Sequence, residues 1–202
     1  MFIKKAAMFG LDARIAFAIF ASLSVIAGAA LYKVLSKMDE VKVMATFNEV
    51  EKALESYILD TNQDLPATVD YVGQEAWIKQ IGELIDSTKK GWRGPYLPVK
   101  SSGVDYAIRH NVAMTDAGGN TFVYATQDDD QDVINGGASN CVSNKNCYYW
   151  IALTHMDVTL GYDIDKKYDD GNPLTGNIRL QHAVSNPPNT DICKKVFPVL
   201  RH

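Results

Sequence analysis

Asp128, Asp130 and Asp132 alternate within the run 128–132, and three carboxylates so spaced are hard oxygen donors of the kind that hold Ca²⁺. In a loop of that type starting at Asp128, however, the glycine expected at the sixth position is Val133, and no glutamate closes the loop at the twelfth. Calcium is therefore a possible cofactor at Asp128, Asp130 and Asp132, and a solvated acidic loop is the competing reading. A second acidic group comprises Asp163, Asp165, Asp169 and Asp170. Its simplest explanation is a tight turn at Asp170-Gly171-Asn172-Pro173, in which Asp170 bonds backbone and Gly171 takes a positive φ.

Other chemistry is sparse. His110, His155, His182 and His202 are widely separated, and none has a second ligand three or four residues away to build a zinc site. There is no nucleophile elbow, phosphate-binding loop or Cys-x-x-Cys pair, so the expectation is that the chain is not an enzyme. The three cysteines, Cys141, Cys147 and Cys193, allow three pairings with one thiol left over. Cys141 and Cys147 close a short span cheaply, whereas Cys193 as the alternative partner would tie the chain's end to the domain. All three lie downstream of the N-terminal apolar run, on the side that is exported if the N-terminus stays inside, where disulfides persist.

The elements that must position these groups begin with residues 15–32, IAFAIFASLSVIAGAALY, a run without a charge. As a helix it is about 27 Å long, close to the thickness of a bilayer's hydrocarbon core. Its eight Ile, Leu, Phe and Val side chains favour insertion by roughly 2.4–5 kcal/mol in total. Basic residues flank it on both sides (Lys4 and Lys5 before, Lys33, Lys37 and Lys42 after), so charge alone orients it weakly. Beyond it Val43, Met44, Phe47, Val50, Leu54, Tyr57 and Ile58 recur at steps of three and four. This predicts one helix from about residue 11 to Leu59 or Asp60, with a break near Ser36 to Asp39 as the alternative. The small residues Ala27, Gly28, Ala29 and Ala30 offer a surface for close helix packing in lipid.

Three processing outcomes are open: removal of a basic leader after Gly10, secretory cleavage after Ala29, or an uncleaved anchor. Pro66 ends the helical region. A second helix is expected at 74–85, with Trp77, Ile81 and Ile85 on one face, followed by a Gly/Pro connector from Lys89 to Tyr96 pinned by its two aromatic rings. Short β runs then follow at 106–109, 121–126, 148–154 and 178–181, an α+β layout. The 20 basic and 24 acidic residues form no basic stripe with interleaved aromatics, so nucleic acid is not an expected partner.

This order of parts resembles the type IV pilin and type II secretion pseudopilin superfamily. The matching stretches are Phe9-Gly10, the run from Ser56 to Pro66, Gly91-Trp92-Arg93-Gly94-Pro95-Tyr96-Leu97, and the polar segment from Asp163 to Gly176. The resemblance implies a leader at 1–10 cut by a prepilin peptidase between Gly10 and Leu11, a transmembrane half-helix at 11–35, an amphipathic half at 36–60, and a globular pilin-like domain at 61–202. It also implies residence in the bacterial inner membrane with the domain in the periplasm, then assembly with copies of itself or related pilins into a helical pilus or pseudopilus filament. Pilins usually carry a glutamate five residues after the cut; here that position is Ile15, and Asp12 is the nearest acid. Minor tip subunits are the ones that lack the glutamate. The alternative function is a secreted or membrane-anchored periplasmic binding module, cleaved after Ala29 in its secreted form.

Overall fold

A single α-helix, α1 (Ala6–Thr61), opens the fold, and no break interrupts it at Ser36 to Asp39. The computed structural model describes residues 6–68, 78–99, 103–110, 119–127, 141, 146–185 and 188–200. The chain divides into two units, residues 1–41 and 42–202. In the first, the side chains described between residues 13 and 34 are all exposed.

The second unit is built on a five-stranded antiparallel sheet: β1 (Ile108–His110), β2 (Gly119–Gln127), β3 (Cys147–Asp157), β4 (Ile178–Ser185) and β5 (Pro188–Pro198), in the order β1-β2-β3-β5-β4. Strand periodicity sorts its side chains cleanly. Val123 and Ala125 of β2, Tyr149, Ile151 and Leu153 of β3 and Ile192 of β5 join the main core. Their neighbours Tyr124, Trp150, Ala152 and Cys193 form a smaller cluster on the opposite face with Ile78. The main core is completed by Val43, Phe47, Val50, Leu54 and Tyr57 of α1, whose alternating steps of four and three place them on one helix face. Lys194 of β5 reaches Glu51 Oε2 at 2.6 Å and Asn48 Oδ1 at 3.2 Å, so a charged contact borders this apolar seam.

The segment before β1 departs from the expected second helix. Residues 69–77, Trp77 among them, lie outside the described residues, but Ile78 and Lys79 are extended. Ile78 bridges Tyr124 and Lys79 bridges Ala67, with Lys79 N–H donating to Val123 O. Among the described residues of this segment, helix is confined to one 3₁₀ turn, Ile81–Leu84. The physical reason lies in the spacing: Ile78, Ile81 and Leu84 are all buried at steps of three, which a 3₁₀ turn satisfies, while the backbone at 78–79 is already committed to strand partners.

The aromatic connector does pin itself as expected. Trp92 Nε1 donates to Glu83 O at 3.1 Å, and Tyr96 OH donates to Asp60 Oδ2 at 2.8 Å while accepting from Arg93 N–H. Gly91 is required where this loop meets the end of α1, since its φ is +93° and a Cβ would collide with Asp60 O.

Two elements were not expected. Helix α2 (Val158–Tyr168) begins at Asp157, whose carboxylate accepts from Leu160 N–H at 2.9 Å. It packs closely on the sheet at Gly161, where an added Cβ would meet Leu180 of β4 and Thr190 of β5. The other is β5, which lies between β3 and β4 rather than at an edge.

Candidate functional site

The first half of α1 is the part of the chain whose chemistry is unmatched by its surroundings. Phe17 is 72% exposed and Val25 73%, and Ile15, Ile19, Phe20, Leu23, Ile26 and Leu31 are likewise exposed. These positions cover every side of the helix. An apolar surface that continuous is not stable in water and marks a membrane or association surface. Among the described residues one helix is long and apolar enough to cross a membrane, and none of its apolar window is buried. The Ser22 hydroxyl, one of two in the run, donates to Ile19 O at 2.8 Å, so it brings no unsatisfied donor into an apolar medium.

Gly10, Ala27, Gly28, Ala29 and Ala30 are exposed on this helix. Beyond the adjoining helix backbone, no described residue lies within 4 Å of a Cβ built on Gly10 or on Gly28. Ala6 to Gly10, assigned by sequence to a leader, is helical, and Leu11 continues the same helix. From Glu40 onward the burial changes character: Val43, Phe47, Leu54 and Tyr57 are 0% exposed and Val50 2%.

Cys141 and Cys147 form a disulfide across Cα atoms 5.7 Å apart, and Cys193 is a buried free thiol. Burial, and secondarily the charge of Asp191, raises the Cys193 pKa well above its ordinary value, so the thiol is held neutral and unreactive. Of the two acidic groups, Asp128, Asp130 and Asp132 lie outside the described residues. The later group is well defined. Asp170 Oδ1 accepts from Asn172 N–H at 2.8 Å, its Oδ2 accepts from the Thr175 hydroxyl at 2.7 Å, and Gly171 has a φ of +75°. That is the tight turn expected from sequence. Asp169 Oδ2 accepts from Ile178 N–H at 2.7 Å and from Asn177 N–H, joining the end of α2 to the start of β4.

What sequence reasoning missed is Asp165. It was grouped with the turn, yet it lies on the buried face of α2 with Gly161 and Ile164 and is 0% exposed. Its signal is in the spacing, because Asp165 follows Gly161 by four residues and Ile164 follows it by three.

Comparison of the chain with protein-family models, with curated proteins and with solved structures found no match.

Proposed function

We propose that this chain is a pilin-like structural subunit, held in the bacterial inner membrane by residues 11–35 and assembled through that helix into a type IV pilus or type II secretion pseudopilus filament. The observation that carries the reading is the apolar surface of α1, exposed on all sides and followed, on the same helix, by a buried stripe that belongs to the domain core. In lipid, apolar contact alone gives helices little reason to associate, so close packing at small residues is what would bring copies together. Gly28, flanked by Ala27, Ala29 and Ala30, is suited to that role. Copies of the chain or related pilins are the partners, the domain lies in the periplasm before assembly, and a prepilin peptidase cuts between Gly10 and Leu11. A cut after Ala29, as a secreted module requires, would fall in the middle of α1.

The deciding experiment is Gly28→Leu in cells that express the protein natively. Because a Cβ at Gly28 meets no described residue beyond its own helix backbone, the variant should fold and insert as the wild type does while sedimentable filaments are lost. Intact mass should give Leu11 as the mature terminus. Filaments undiminished by the leucine, or a mature terminus at Ala30, would overturn the assembly reading and leave a tether or a secreted module respectively.

A further inference from the structure

Helix α2 carries an acid where its own packing calls for an apolar side chain. Asp165 is 0% exposed, and among the described residues neither of its carboxylate oxygens has a hydrogen-bond partner. A buried charge needs a counter-charge or a full set of donors, and this one has no such donor set among the described residues. Its neighbours make the problem worse. One ligand oxygen from each of Asp165, Asp169 and Asp170 lies within 4.8 Å of the others. Like charges that close repel unless something positive sits among them.

The spacing suits one ion. Oxygens bound to a single Ca²⁺ at about 2.4 Å lie at most about 4.8 Å apart, and the three carboxylates meet that limit. Two of the three ligands are already held in place. Asp169 is fixed by the backbone amides of Asn177 and Ile178, and Asp170 by Asn172 N–H and the Thr175 hydroxyl. Each of these carboxylates retains lone pairs for a metal. Gly176 leaves room for the arrangement, since a Cβ there would overlap the Asp169 carboxylate.

We propose that Asp165, Asp169 and Asp170 bind one divalent cation of the calcium class, with Asp165 as the buried ligand, Asp170 on the solvent side, and water completing the shell. The donor set is all carboxylate oxygen with no nitrogen or sulfur, which selects hard cations over zinc or copper. Ligands from a helix and its adjoining turn suit the flexible geometry of Ca²⁺ better than the strict octahedron of Mg²⁺. A bound ion would clip the last turn of α2 to the turn that follows it, which Asp169 already joins to the start of β4. The site is separate from the acidic run at Asp128, Asp130 and Asp132, and it does not depend on the filament reading.

The test is thermal unfolding of the full-length chain in detergent, stripped with a chelator and titrated with CaCl₂ at constant ionic strength. Calcium at about 100 times its dissociation constant should raise the midpoint by roughly 5–10 °C, and chelator should reverse it. Asp165→Asn should abolish the shift without lowering the calcium-free midpoint, whereas an Asp128→Asn, Asp130→Asn, Asp132→Asn variant should keep it. Hydrogen exchange on the wild-type chain supplies a readout that needs no variant: calcium should slow exchange over 160–180. No shift in the wild type up to about 10 mM Ca²⁺, beyond the weak range of extracellular calcium modules, would overturn the site and leave Asp165 as a neutral buried carboxyl. Equal shifts in wild type and Asp165→Asn, or protection confined to 127–133, would overturn it as well.

Discussion

The two halves of α1 share one backbone geometry and differ in what surrounds their side chains. Between residues 13 and 34 apolar groups occur all round the helix and stay exposed, whereas from Val43 to Tyr57 they occupy one stripe and vanish into the core. Helical hydrogen bonding is the same in both. What differs is the environment each half requires, an apolar one outside the chain for the first and the protein's own sheet for the second. A helix can thus belong to two environments when its side-chain pattern changes along its length.

The sharpest way to break this comparison is to make the same truncation in each half. Phe47→Ala removes a fully buried ring from the core and should cost about 3–5 kcal/mol, whereas Phe17→Ala should change the stability of the chain's own domain by less than about 0.5 kcal/mol. Denaturant unfolding in detergent, followed by near-ultraviolet circular dichroism, measures both. Equal effects would mean that the halves are not energetically distinct.

Alkali should also act selectively on the buried half. Burial first, then the charges of Glu83 and Tyr96, raise the Tyr57 hydroxyl from its ordinary value of 10.0 to about 12. Tyr149 on the facing strand is raised too, by burial and by Asp64, to which its hydroxyl donates at 2.8 Å. Both tyrosines are neutral in the fold, so between pH 10 and 12 the folded chain holds more protons than the unfolded one. Stability is therefore complete below about pH 10 and declines as pH rises towards 12, with about 2 kcal/mol from Tyr57. A pH series of the same unfolding curves should show the loss, and Tyr57→Phe should reduce it.

Glycine gives a third contrast. Gly91→Ala forces a side chain into a positive φ and against Asp60 O at the end of α1, at a cost of about 1–3 kcal/mol. Gly28→Ala lies in open space on a regular helix and should leave the domain midpoint unchanged while raising the helix's own stability by up to about 1 kcal/mol. Smallest of all is the Lys194–Glu51 pair, partly exposed at 2.6 Å, where Glu51→Gln should cost about 0.5 kcal/mol and less in high salt.

Much of this was readable from the chain. The continuous helix follows from the absence of proline before Pro66 and from the three-and-four spacing after Val43; the strand cores at 121–126 and 148–154 follow from apolar runs between turn residues. The Cys141–Cys147 pair was the cheaper closure, and Gly91 with its two aromatics announced a pinned loop. These features rest on local rules, in which a residue's own conformational preference or its near neighbours decide the outcome.

Other features depended on groups far away in sequence. Ile78 has the spacing of a helix, but its backbone is claimed by Pro66 to Thr68 on one side and β2 on the other. The charged stretch Asp191 to Lys195 does not resemble an interior strand, yet it lies between β3 and β4 because both of its backbone edges find partners there. Likewise α2 is short and polar, and its packing at Gly161 is evident only once Leu180 and Thr190 are beside it. Asp165 is the clearest case. Its identity and place in an acidic cluster are sequence facts, whereas its burial without a partner arises only when α2 is laid on β4 and β5. The sequence by itself determined the continuous first helix, which stretch of it is apolar enough to cross a membrane and which cysteines close most cheaply, because those depend on spacing along one element. Strand order, the fate of residues 78–80 and the burial of Asp165 were decided by tertiary structure, since each depends on which distant backbone and side chains take up the same hydrogen-bonding and packing surface.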